Sequence, residues 1–172
     1  MALVLAVRAG RVAFFAHAPR QNGELPGVVQ NWLDHEKAIL QSVGGETLTR
    51  PVSDWSAETP WFVWRLLSGN NREIGRGVGV YGSLPAARAA AERAMAAAES
   101  AAPIAAFDGK SSHGWCLRVE SEAIMVSPLW HRSRRSNRLN LDTVRGALAR
   151  AEVNDVATQL AGTTRPREVA GL

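Results

Sequence analysis

The chain is poor in cysteine, in lysine and in long apolar runs, and each shortage closes off a class of protein. Cys116 is the single cysteine among 172 residues. It leaves no room for an internal disulfide framework or for a multi-thiolate zinc or iron–sulfur site built from this chain alone, and it fits a reducing compartment. No stretch approaches the roughly 18 consecutive apolar residues of a membrane helix. The apolar start, Met1 to Val7, is followed by Arg8 and Arg11. An export signal places its charge first, so a cytoplasmic protein without a membrane segment is expected. Lys37 and Lys110 are the only lysines, and a formal net charge of +4 is therefore almost all arginine.

What is present is ordinary globular material. Hydrophobic residues make up 46% and charged residues 21%, and a chain of this size hides roughly 70% of its unfolded surface without staples. The positive excess is uneven. Between His113 and Arg150, seven arginines (Arg118, Arg132, Arg134, Arg135, Arg138, Arg145, Arg150) face three acids, Glu120, Glu122 and Asp142. A local excess of this kind concentrates anions whatever their sequence.

One pattern recurs. Trp61 to Leu67 suits a half-buried strand with Phe62, Trp64 and Leu66 on one face; Gly69-Asn70-Asn71 turns, and Glu73-Ile74 returns toward Val78 to Tyr81. Ser83 can cap the helix that follows, Pro85 suits its first turn, and Leu84, Ala87, Ala91, Ala94, Met95 and Ala98 form a packing stripe. The order returns with Trp115 to Val119 and Ala123 to Val126 as strands. Aligning Arg65 with Arg118 sets Phe62, Trp64 and Leu66 over Trp115, Leu117 and Val119, with a helix starting near Asn140 or Leu141 and an arginine-rich insertion before it. A fainter copy opens the chain: Leu3, Leu5 and Val7, then Arg11 to Ala16, then a helix from Pro26 to Ser42 ended by Gly44-Gly45.

The expected fold is α+β, with antiparallel sheets, one helix per unit, and three diverged ββ(β)α repeats packed together. Residues 1–45 form the first unit, 61–100 the second and 113–161 the third. Residues 46–60 and 101–112 read as linkers, and 162–172 as a tail.

Several motifs invite chemistry. Gly77 to Gly82 spells G-x-G-x-x-G before a helix, but a dinucleotide site needs parallel strands around it, and the neighbours read as antiparallel; glycines easing a twisted edge strand are expected instead. Asp34-His35-Glu36 cannot converge on one ion, because successive helical residues point about 100° apart, and a solvated helix face is expected. His113 and Cys116 are too few for zinc. No catalytic residue, cofactor or metal is expected. Trp130, followed by His131, Arg132, Arg134, Arg135 and Arg138, is the candidate contact set for an anion or nucleic acid, an aromatic beside guanidinium groups being able to stack on a base.

Trp64-Arg65-Leu66, Gly69-Asn70, Glu73-Ile74 and Tyr81-Gly82-Ser83 before an alanine-rich helix resemble the YegP-like family over Trp61 to Glu99. The resemblance implies short tandem repeats of strands and a helix, and carries over no catalytic residue, because the family's role is uncharacterised. A non-catalytic binding or assembly module is the expected function, with a protein partner or self-association through strand edges first, and nucleic acid second.

Overall fold

In the computed structural model, residues 10–18, 26–44 and 60–160 are described. The strand expected at Leu3 to Val7, Leu25, Trp55, residues 46–59 of the 46–60 linker and the 162–172 tail lie outside them. The described residues form an α+β fold of three helices and one seven-stranded, mostly antiparallel sheet, in strand–strand–helix units. In chain order these are β1 (Arg11–His17), α1 (Gly27–Ser42), β2 (Trp61–Leu67), β3 (Glu73–Gly77), α2 (Leu84–Ala97), β4 (Ala102–Phe107), β5 (His113–Val119), β6 (Glu122–Val126), α3 (Arg134–Leu148) and β7 (Glu152–Leu160). Across the sheet the order is β4-β5-β6-β3-β2-β1-β7.

That order places two equivalent bodies side by side. Antiparallel β1-β2-β3, with α1 inserted between β1 and β2, leads into α2, the meander β4-β5-β6 leads into α3, and the two join where β3 pairs antiparallel with β6. The joint is short: Arg76 pairs with Val126 and Gly77 with Met125. β7 adds a parallel strand outside β1. Two stretches therefore differ from their sequence reading. The 101–112 linker contains β4, whose run of small uncharged residues gives no alternation to read, and 152–160 is a strand rather than the end of a helical unit.

The helices cover both faces. Alternation along the strands sends Val12, Phe14, Trp64, Leu66, Trp115, Leu117 and Met125 to one side, against Ala87, Ala91, Ala94 and Ala98 of α2 and Val144, Ala147 and Leu148 of α3. Burying side chains of this size stabilises the fold by about 1.5–3 kcal/mol each. The other side carries Cys116, Ala106, Ala123 and Val126 under Ile39 and Leu40 of α1.

Matching backbone bonds fix the correspondence of the two bodies. Phe62 and Tyr81 exchange both N–H···O bonds at 2.8 Å, and His113 and His131 do the same at 2.8 and 2.7 Å. Trp64 therefore corresponds to Trp115, Leu66 to Leu117 and Arg65 to Cys116, two residues away from the alignment of Arg65 with Arg118. A slip of two keeps every side chain on its face, so hydrophobic alternation alone does not detect it. Each helix starts on a serine: Ser83 Oγ accepts from Ala86 N at 3.3 Å, and Ser133 Oγ accepts from Ser136 N at 3.1 Å. There is no insertion before the third helix. It begins at Arg134, six residues before the expected start, because Ser133 caps it.

Candidate functional site

The start of α3 is the most strongly charged feature. Arg132, Arg134, Arg135 and Arg138 are all exposed, and among the described residues none of their side chains makes a hydrogen bond or ion pair. Arg134, Arg135 and Arg138 are helical rather than in a loop. The first turn holds no acid. The helix N-terminus already carries partial positive charge, so guanidinium groups there are unfavourable until an anion arrives. Asp142 is the one acid of this helix, and it makes no ion pair among the described residues.

The aromatic member of the expected set is placed elsewhere. Trp130 packs on the Ile39 and Leu40 cluster, with its ring edge-on to His35 at 6.2 Å and 71°. It is half-buried under α1 and not presented as a stacking platform. His131 is held by its backbone pairing with His113, and burial, ahead of its other influences, pushes its pKa down. The structure thus groups the four arginines and separates them from Trp130.

A second polar set lies under α1, where a solvated face was expected. Asp34 is exposed and accepts from Gln30 Nε2 at 2.9 Å, but Glu36 is 5% exposed. Its Oε2 accepts from Gly79 N–H at 2.7 Å. Burial drives its pKa up to about 7, against the opposing pull of that bond and of Arg76. His35 Nε2 lies 2.8 Å from the carbonyl oxygen of Ser127, and burial lowers its pKa. Adjacent residues of α1 therefore reach the strand-to-helix corners of both bodies. The signal for burial was present in the sequence: Trp32, Glu36 and Leu40 sit four residues apart on one helix stripe.

Nearby, Arg65 and Arg76 oppose each other across β2 and β3. Glu73 offsets their repulsion, taking Arg65 Nη1 at 3.3 Å and Arg76 Nε at 2.9 Å. The guanidinium carbons stand 5.1 and 4.1 Å from the centre of the Trp32 ring, and that of Arg65 stands 4.4 Å from Phe15. One carboxylate thus serves two guanidinium groups, and the excess positive charge is held in part against the Trp32 and Phe15 rings.

The glycine motif is structural. β3 is an interior antiparallel strand, neither an edge nor a parallel strand feeding a phosphate turn. A β-carbon on Gly77 would overlap the Trp64 indole, and Gly79 has φ +93° and gives its N–H to Glu36. Cys116 shares the face of Arg118, as its parity predicts, but α1 covers that face. The buried thiol is pushed up to about 12 by desolvation. Among the described residues no three His, Cys, Asp or Glu side chains gather to hold a metal, and no helix is long and apolar enough to cross a membrane.

Two three-stranded antiparallel units, each followed by a helix and the first interrupted by α1, define the class of fold. Among solved structures the chain is similar to the solution NMR structure of the protein of unknown function yegP from E. coli, with 13% identity, a TM-score of 0.48, and coverage of 90% of this chain and 97% of that one. No known family model matches the chain. No curated protein matches it either.

Proposed function

We propose that this protein is a non-catalytic binding module that holds an anionic partner at the start of α3. The supporting observation is the group Arg132, Arg134, Arg135 and Arg138, exposed and without acidic partners among the described residues, at the positive end of a helix. The corresponding positions of the other body are Gly82, Leu84, Pro85 and Arg88. At three of the four positions charge has thus been placed on one body alone, where the fold does not require it. The high pKa of the buried Cys116 thiol argues against that residue as a nucleophile, since a thiolate needs the opposite shift.

A second reading, nucleic acid as the partner, is favoured by the same four cations. With Trp130 packed away, phosphates alone would be read and binding would not depend on base sequence. The test titrates the chain with polyglutamate and with duplex DNA. Binding through four arginines weakens roughly 100-fold for DNA between 50 and 200 mM salt. The proposal fails if neither polymer binds at low salt, or if changing all four arginines to alanine leaves binding intact.

A further inference from the structure

We infer that the outer edge of β4 takes up an extended acidic strand from a partner protein, running parallel to β4, with Arg138 holding one of its carboxylates. This deepens the reading above and rests on it. The argument comes from the body in which the same place is already filled. Outside β1 lies β7, parallel to it. From α2, Arg88 reaches across that added strand: its Nη2 donates to the Asn154 carbonyl oxygen at 3.0 Å and to Asp155 Oδ1 at 3.2 Å, while its guanidinium sits 5.8 Å from the Phe14 ring.

The serine caps and paired bridges make Arg138 the counterpart of Arg88, and β4 the counterpart of β1. Phe14 faces Trp64 as Ala105 faces Trp115. Arg138 is exposed and without a partner among the described residues, and β4 ends the described sheet. Ala102, Pro103 and Ala105 are exposed, and Phe107 is 46% exposed.

The edge is armed for pairing. Trp115 N–H and C=O are both engaged with Ser127, and those of His113 with His131, so neither residue bonds back to β4. Their partners Ala105 and Phe107 must therefore aim their own N–H and C=O groups outward. Pro103 shares that parity, so its missing N–H costs the β4–β5 ladder nothing, while its carbonyl can still accept. Side chains at Ala105 and Phe107 lie on the face of the sheet that α3 covers. Acidity follows from the surroundings: Arg134 stands one turn before Arg138 on the same side of α3, and Arg135 beside it. The nearby Asp108 is already satisfied, its Oδ1 accepting the N–H groups of Lys110, Ser111 and Ser112 at 2.9 to 3.0 Å.

The experiment titrates the labelled full chain with a synthetic nine-residue peptide carrying the sequence of β7, and follows backbone amide resonances and their exchange with solvent. The expected result is a shift and slowed exchange at Ala105 and Phe107. Arg138→Ala weakens binding by up to about fivefold, the reach of one exposed ion pair. Ala105→Pro repeats on the same parity what Pro103 already does, and it abolishes peptide binding while the amide spectrum reports a folded chain. No shift at these amides at millimolar peptide, or undiminished binding by Ala105→Pro, overturns the strand while polyglutamate binding through the arginines still stands. An oligonucleotide that binds where the peptide does not makes nucleic acid the partner and overturns the inference. Concentration-dependent dimerisation abolished by Ala105→Pro makes a second copy the occupant and overturns it as well. Loss of polyglutamate and DNA binding together strikes the broader reading.

Discussion

The body built on Trp64 and the body built on Trp115 solve one packing problem with opposite chemistry. Around Trp64 the solution is smallness. Gly77 lies against the indole, Ala87, Ala91 and Ala94 of α2 close over the sheet, and the indole N–H finds no acceptor among the described residues. Around Trp115 the solution is polar. Ser127 replaces Gly77 and accepts Trp115 N–H at 3.2 Å; Asn140 replaces Ala90 and accepts Trp115 Nε1–H at 2.7 Å; Asn137 replaces Ala87 and donates to the Gly114 carbonyl at 2.8 Å. The same backbone thus tolerates either close approach or a bonded network. The body with the network is also the one whose helix carries free positive charge.

The largest effect is expected from forcing the first solution toward the second. Gly77→Ser, which copies Ser127, drives a β-carbon into Trp64 and costs about 3 kcal/mol, the upper range for overpacking a core, measured as a lower urea midpoint. Ser127→Gly in the other body makes no overlap but leaves the buried Trp115 N–H without its acceptor, for about 1–2 kcal/mol. If the two changes cost the same, the contrast is wrong.

Next in size is Asn140→Ala. It strands the Trp115 indole N–H and removes a bond to the Ile74 carbonyl at 3.3 Å, for about 1–3 kcal/mol. The matching position, Ala90, has no such bond to lose.

Third is a pH effect that belongs to neither body but to α1 between them. The native state raises Glu36 from 4.5 to about 7, so it binds that proton more tightly than the unfolded chain does. Stability from this group is therefore fullest below about pH 4.5, falls as pH rises toward 7, and then levels. His17, His35 and His131 act the other way: their pKa values are lowered from 6.5, chiefly by burial, so their contribution is present above 6.5 and lost as pH falls below it. Subtracting the stability curve of Glu36→Gln from that of the parent isolates the falling limb; a flat difference between pH 4.5 and 7 refutes the assignment.

The smallest effect concerns the arginines themselves. Replacing Arg134 and Arg135 by alanine relieves repulsion at the helix start and stabilises the free chain by about 0.3–1 kcal/mol at low salt, less at high salt, while weakening polyanion binding. Thermal melts at two ionic strengths read it.

Much of this was legible beforehand, for reasons that differ by element. Trp64 and Trp115 announce their strands through alternation, and Ser83 its helix through capping. Asn137 and Asn140 concealed the start of α3, because asparagines facing a core look like a loop until their bonds to Gly114 and Trp115 are known. Glu36 was read by residue type rather than by its place on the apolar stripe. The charged set was recognised as a group of residues, but its separation from Trp130 depends on α1 lying across the sheet, a long-range choice that no local spacing records.

The two-residue ladder between β3 and β6 is the thinnest line through the molecule, and what crosses it is mostly side chain. Met125 lies against Gly75, Asn140 reaches the Ile74 carbonyl, and α1 grasps a corner on either side through Glu36 and His35. Cooperative unfolding is therefore transmitted by the core that both bodies share under α2 and α3, by the pairing of β7 with β1, and by α1, rather than by the ladder at the joint. Loosening that helix would free two corners on one face and leave the common core on the other to hold the bodies as one melting unit.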